Sequence, residues 1–297
     1  MSGGLEGESF LIAAGYHGSA FYGSQIQPNG TTVQGEVQAA LVDLEWGGRG
    51  VVRVSSRTDS GVSSRLNLID LKLDDQLMDK LDSQMILRAL GDRVSPDLCL
   101  WGARKRRSKI PVRVAKSRTY LYRLDMIKGW RSDSDPVILE QACELFIGNH
   151  DFSAFSREDG DRSPIRTVDE CDLWRGDDGY VIGFRITAES FLWNQVRKIA
   201  SALMQVGRGS IDITEIERAL GSPDKAPDFG RAPADALILW GIDHQDAPDS
   251  WSTKPPEIAA IPLPSQAEPR VVERWRIMAL AEIRHLLESE WTRKLIQ

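Results

Sequence analysis

The sequence predicts an α+β chain built as two similar halves with a tail, and three observations carry that prediction. Short apolar runs of strand type occur near residues 51–54 and 66–73, and again near 166–174 and 180–188. Each set is accompanied by a stripe at helical spacing: Val33, Val37, Ala40, Leu41 and Leu44 in the first half, and Leu192, Val196, Ile199, Leu203 and Val206 in the second. Past residue 245 the composition changes to a proline-rich stretch and then a charged amphipathic pattern. The expected division is therefore 1–130, 131–245 and 246–297, and 297 residues suffice to bury a proper core.

Taken in order, residues 9–16 read as the first strand. They lead into a loop of Gly15, Tyr16, His17, Gly18, Phe21, Tyr22 and Gly23, followed by Ser24, Gln25 and Gln27. Rings beside glycines and amides would line a base-binding surface, or would plug the base of a sheet, the commoner role. Thr31-Thr32-Val33-Gln34 matches a capping box and opens the first helix. Between the strands at 51–54 and 66–73, Arg57-Thr58-Asp59-Ser60-Gly61-Val62 place one carboxylate and one guanidinium in a tight turn at a strand end, where sites tend to be built. Asp-Ser-Gly is also ordinary turn chemistry, and on these six residues alone the turn reading comes first. Leu77, Leu81, Met85 and Arg88 predict one helix ending near Gly91, and residues 97–103 a strand.

From 104 to 118 the chain carries eight basic residues and no acidic one, among them Arg106, Arg107 and Lys109. Such a run binds phosphate or is merely a solvated face. Residues 118–124 alternate as a strand with Tyr120, Tyr122 and Leu124 on one face. Residues 129–135 connect the halves, and Pro136 opens a helix through Phe146. A polar loop, 150–164, precedes two strands. The next helix is expected from Ser190, with Arg197 leaving from beside its apolar stripe. A guanidinium there wants an anionic partner, or it snorkels to water. A short helix at 214–220 and a strand at 236–242 follow. Residues 246–269 hold six prolines and read as a linker, and 271–295 as a helix with Trp275, Met278, Ala279, Ile283, Leu286 and Leu287 available for packing. No chemistry is evident in that tail.

Composition excludes several classes. The three cysteines are far apart and the four histidines lack a shared helix face, so neither a disulfide framework nor a metal is expected. Residues 1–9 carry no basic cluster and the apolar run after them is short, so no signal peptide is expected; no run reaches membrane-spanning length. A cytoplasmic protein is the expectation. The net charge of −6 argues weakly against a nucleic-acid partner, but affinity for phosphate depends on where the cations cluster.

Taken together, Tyr16 with Gly18, Phe21, Gly23 and Gln25, then Thr32-Val33-Gln34, Arg57-Thr58-Asp59-Ser60-Gly61-Val62, Tyr120 and Tyr122, residues 150–155, Phe191-Leu192 with Val196-Arg197, and residues 232–235 resemble the TruA family of tRNA pseudouridine synthases. The likeness runs from about Phe10 to Asp243, and the tail has no counterpart in it. Ser63-Ser64, Asn194-Gln195 and His17 depart from the family pattern at positions expected to touch the substrate. The resemblance implies a pseudouridine synthase fold: two similar halves, antiparallel sheet flanked by helices, around a central basic cleft. It implies isomerisation of uridines at positions 38 to 40 of the tRNA anticodon arm without cofactor or metal. It assigns the nucleophile to Asp59, a base-flipping or RNA-holding role to Arg57, a ring contact and a proton-transfer role to Tyr120, and to Arg197 a salt bridge orienting Asp59. Tyr16, Phe21, Gln25, Arg106, Arg107, Lys109 and Phe155 are the further expected substrate contacts, tRNA is the expected partner, and a homodimer is one expected assembly. The alternatives are an RNA-binding or chaperone protein on the same fold, and a synthase with a different RNA target.

Overall fold

Antiparallel pairing organises both halves. The structure, a computed structural model, describes residues 8–48, 50–160, 162–264 and 266–296; the stretch 1–7, part of the segment read for a signal peptide, lies outside the described residues. The chain divides into two units, one of Met1–Lys116, Leu239–Lys254 and His285–Gln297, the other of Ser117–Ile238 and Pro255–Arg284. This differs from the division at 130 and 245 expected above. Residues 117–123 hydrogen-bond to a strand of the second unit, which draws them across the expected boundary, and the tail is shared between both units.

In the first unit, strands β1 (Ser9–Tyr16), β2 (Gly50–Val54), β3 (Ser63–Leu73) and β4 (Leu98–Arg106) form a sheet in the order β4-β1-β3, with β2 on β3. Ile12 sits opposite Ile69 and Ala103. Every residue of β1 is buried, because both faces of its sheet are covered. On one face Phe10, Ile12 and Ala14 join a core with Val37 and Leu41 of α1 (Val33–Asp43) and Ile86 and Leu90 of a helix at Ser83–Gly91. On the other lies the end of the tail: a Cβ on Gly15 would fall 2.0 Å from the Trp291 indole nitrogen, so only glycine admits the ring.

Local signals moved two helix boundaries. The cap of α1 is Thr32, whose hydroxyl accepts from Gly35 N; the Gln34 side chain, instead of closing a capping box, donates to Val52 O. The single helix expected over 77–91 is two, α2 (Asp75–Lys80) and α3 (Ser83–Gly91), because Asp82 starts a new helix by accepting from Met85 N.

In the second unit, β5 (Ser117–Arg123), β6 (Gly148–Asp151), β7 (Ile165–Arg175) and β8 (Val181–Ala188) run in the order β5-β8-β7-β6. Helices α4 (Pro136–Glu144), α5 (Gln195–Gly207) and α6 (Ile213–Gly221) accompany them. The expected start of α5 at Ser190 is too early. Asn194 is left-handed, at φ 63°, and residues 190–194 form a non-helical loop instead. Strand β9 (Leu237–Asp243) has its first two residues in the second unit and the rest in the first.

The tail ends in α7 (Pro269–Ile296). Its proline-rich approach is tied down rather than loose. Indoles donate to its backbone carbonyls: in the first unit Trp240 donates to Thr253 O, and in the second Trp174 donates to Pro256 O and Trp275 to Ile261 O. In the first unit Arg65, 1% exposed, bonds Glu290 at 2.9 Å and lies 5.1 Å from the Trp240 ring centroid. In the second, buried Arg123 pairs with Asp125 at 2.6 Å and with Glu282 at 2.5 Å.

Candidate active site

Asp59 lies half-buried in the first unit, on the turn between β2 and β3. The turn is closed by Val62 N donating to Asp59 O at 3.2 Å, with Gly61 at φ 88°, so the turn chemistry expected of Asp-Ser-Gly is present. It does not compete with a site, because the turn is held by an unusually dense buried polar network. Tyr16 OH and Thr58 Oγ1 are 2.9 Å apart, Asn67 Nδ2 donates to Tyr16 OH at 3.1 Å and to Ser56 O at 2.9 Å, and Asn67 Oδ1 accepts from Ser56 N. Ser24 completes the clamp: its hydroxyl accepts from Thr58 N and donates to Ser56 O, and its own N–H donates to Thr58 O. Burial pushes the Tyr16 hydroxyl above its ordinary pKa against the opposing pull of its bonds to Thr58 and Asn67. It stays a neutral hydroxyl, a prop rather than a base.

The glycine loop is pressed onto this turn. A Cβ on Gly18 would lie 2.3 Å from Gly61 O, and one on Gly23, at φ 107°, 2.8 Å from Thr58 O. Val33 N and Gln34 N, at the start of α1, hold Gly23 O and Ser24 O. Tyr16 and Phe21 are buried in edge contact with each other, so both plug the sheet beneath Asp59 and offer RNA no open ring. Gln25 is half-buried beside Ser24, and Arg57 is exposed two residues from Asp59. Ser63 and Ser64 are buried: Ser63 Oγ accepts from Gly18 N and Ser64 Oγ donates to Leu239 O, so these departures from the family pattern brace the loop from below. Ser24 and Asn67 hold the turn, a part that sequence reasoning missed. A small polar residue among glycines and an Asn inside an apolar strand were the available signals.

The second unit holds Tyr120 and Arg197. Tyr120, on β5, is buried edge-on to Phe191 with centroids 5.2 Å apart. Arg197, on α5, is buried, donates from Nε to Ala232 O at 2.8 Å, and has Nη1 3.4 Å from Asn194 Oδ1. Residues 232–235 thus fix the guanidinium: Ala232 N returns a bond to Arg197 O, and Pro233 O accepts from Tyr122 OH at 2.9 Å. Burial pushes the Tyr122 hydroxyl well above its ordinary range, with Arg197 opposing. Gln195 Oε1 caps Leu192 N, so Asn194 and Gln195, two more of the departures, shape the entry into α5.

Two expected substrate contacts, Phe155 and Arg106, are turned inward. Phe155 is fully buried, stacked on Phe229 at 4.9 Å behind α5. Arg106 is 7% exposed, with its fork taken by Asp70 at 2.8 Å and Asp246 at 2.7 Å, because the register of β4 against β1 turns it inward beside Ser9. Arg107, its neighbour, is 82% exposed and pairs with Glu8, and Lys109 is exposed. Among the described residues no cluster of three or more His, Cys, Asp or Glu could hold a metal ion, and no helix is long and apolar enough to cross a membrane.

A family model described as tRNA pseudouridine synthase matches residues 142–245. Proteins named tRNA pseudouridine synthase A are similar over most of the chain. That of Methanocorpusculum labreanum is 32% identical over 77% of this chain and 77% of its own; that of Pyrococcus furiosus, 35% over 78% and 82%; that of Methanoculleus marisnigri, 36% over 77% and 80%. A solved pseudouridylate synthase crystal structure is also similar, at 13% identity and a TM-score of 0.31, covering 67% of this chain and 59% of that one. With relatives 32–36% identical over most of its length, the α+β chain is a pseudouridine synthase, an isomerase. It belongs to the TruA family of tRNA pseudouridine synthases.

Proposed function

We propose that this synthase converts uridines 38 to 40 of the tRNA anticodon arm to pseudouridine, with Asp59 as nucleophile. The observation that carries the reading is the clamped turn: a half-buried carboxylate on a loop whose backbone is fixed by Tyr16, Ser24, Asn67 and α1. Precision of that kind serves a group that must meet a reacting atom. Uridine and pseudouridine are isomers. The bond from C1′ to N1 breaks, the Asp59 carboxylate engages the sugar or base, the uracil turns, and C5 joins C1′ while the C5 proton is lost and N1 gains one. The loose uracil demands a pocket that excludes water. Arg57, exposed beside Asp59, holds the flipped-out nucleotide, offsetting the few kcal/mol of unstacking. Arg197 supplies the cation that orients the aspartate, Tyr120 contacts the ring, and the Asp59–Arg197 pair expected from the sequence is part of this proposal. A cytoplasmic homodimer is the form proposed, and the free thiols of Cys99, Cys143 and Cys171 suit a reducing compartment.

Asp59→Asn tests the reading. The isosteric change should leave the fold and tRNA affinity near wild type and abolish pseudouridine formation, measured by tritium release from C5-labelled tRNA. Turnover within a few fold of wild type would instead leave Asp59 a turn residue on an RNA-binding scaffold.

A further inference from the structure

We propose that Trp193 is a stacking platform for an unpaired nucleobase of the RNA substrate, a reading that rests on the proposed action on tRNA. Of the nine tryptophans, seven are buried and Trp46 is half-buried; Trp193, 41% exposed, is the one left outside. An indole costs more in water than most side chains, and the fold has buried or half-buried every other one. The ring is also held in place. The Arg157 guanidinium carbon lies 4.1 Å from its centroid, and Arg157 N donates to Trp193 O at 2.8 Å. A guanidinium on an indole makes a preset planar surface, the kind on which splayed bases stack.

The loop that carries Trp193 is anchored on both sides of it. Phe191 packs on Tyr120, Leu192 N bonds Gln195 Oε1, and Asn194 Oδ1 approaches Arg197 Nη1 at 3.4 Å. Its neighbours thus reach the two residues of this unit assigned to the reaction, while Trp193 faces outward. Charge narrows the ligand. Between 156 and 166 the sequence has Arg157, Arg162 and Arg166 against Glu158, Asp159 and Asp161, and Arg162 pairs with Asp159 at 3.0 Å. The segment that supplies Arg157 thus carries no surplus of cations, which suits the face of a base better than a phosphate.

The test uses the full chain and unmodified tRNA, reading affinity by anisotropy across a salt series, with product formation measured alongside. Trp193→Ala should weaken binding about 5- to 150-fold, the range for one base–aromatic stack, at every salt concentration and with the salt slope unchanged. Trp193→Phe should recover most of the loss, whereas Trp193→Leu, which keeps apolar bulk without a π face, should behave like alanine. Unchanged affinity in Trp193→Ala, a flattened salt slope, or equal binding by the Phe and Leu variants would overturn the platform. A wild-type chain that binds tRNA without making pseudouridine would overturn the proposed function and leave the platform to be judged by affinity alone. One that does not bind tRNA would overturn both.

Discussion

Tyr16 shows what a single hydroxyl can do for a site it does not enter. Its oxygen is shared by Thr58 and Asn67, and both partners are buried. Tyr16→Phe keeps the ring in its edge contact with Phe21 and removes only that oxygen, leaving a donor of Asn67 and the Thr58 hydroxyl short of a partner. The expected cost is about 1–3 kcal/mol in stability, read from urea unfolding. Turnover should fall by more than tRNA affinity, because the loop that loosens carries Asp59. A loss confined to affinity would place Tyr16 against the RNA instead. The sequence offered both roles for this ring, base-binding surface or sheet plug, and could not choose. Only the burial of Tyr16 and the position of Asn67 51 residues away decide it. Arg106 was illegible for the same reason: among the eight basic residues of 104–118 nothing local distinguishes the one guanidinium that β4 turns inward.

At the scale of elements, that distinction separates two behaviours within one strand end. Neutralising Arg107 and Lys109, both exposed, should weaken tRNA binding across sequences and lower the salt slope, with folding intact. Arg106→Gln should do the reverse, destabilising the fold by about 3–5 kcal/mol because the buried Asp70 and nearby Asp246 lose their cation. Comparing salt slope with unfolding midpoint for the two variants checks the assignment. The same cluster gives a pH dependence. Burial alone would raise the Asp246 carboxyl, but hydrogen bonds from Arg106 and Ser108 and the Arg106 charge hold it below its ordinary value. A carboxylate depressed in the folded state stabilises fully above its unfolded pKa, near 3.9, and loses that contribution as pH falls through the folded value. Amide exchange in residues 243–250 should therefore quicken below about pH 4, and less so in Arg106→Gln. Strands were the most legible elements: β3, β7, β8 and β9 lie within a few residues of their apolar patterns. Helix starts were less so. Asp82 and Asn194 act through one side-chain cap and one left-handed residue, neither of which alters hydrophobic periodicity.

For the whole molecule, the tail is the element whose part in the fold was hardest to read, since its apolar pattern names no target. The structure supplies one in each unit. In the first, Glu290 of α7 meets Arg65 on β3, and Trp291 donates to Arg65 O beside Gly15. In the second, Glu282 of the same helix meets Arg123 at the end of β5, whose guanidinium carbon is 5.8 Å from the Trp275 ring. Burial pulls the Arg65 pKa down, and Glu290 pulls it back up. A buried guanidinium in that position is costly without its carboxylate, so the tail is a condition of the fold rather than an appendage to it. Glu290→Gln should cost about 3–5 kcal/mol, the penalty for leaving a buried cation without its partner, whereas Arg65→Met with Glu290→Leu should recover much of that loss. Truncation after residue 268 should strip both units at once and yield an aggregating chain, not a folded enzyme with altered substrate choice. Calorimetry of the point variants and light scattering of the truncation are the measurements. A truncated chain that unfolds cooperatively at the wild-type midpoint would show that Arg65 and Arg123 can be satisfied without α7.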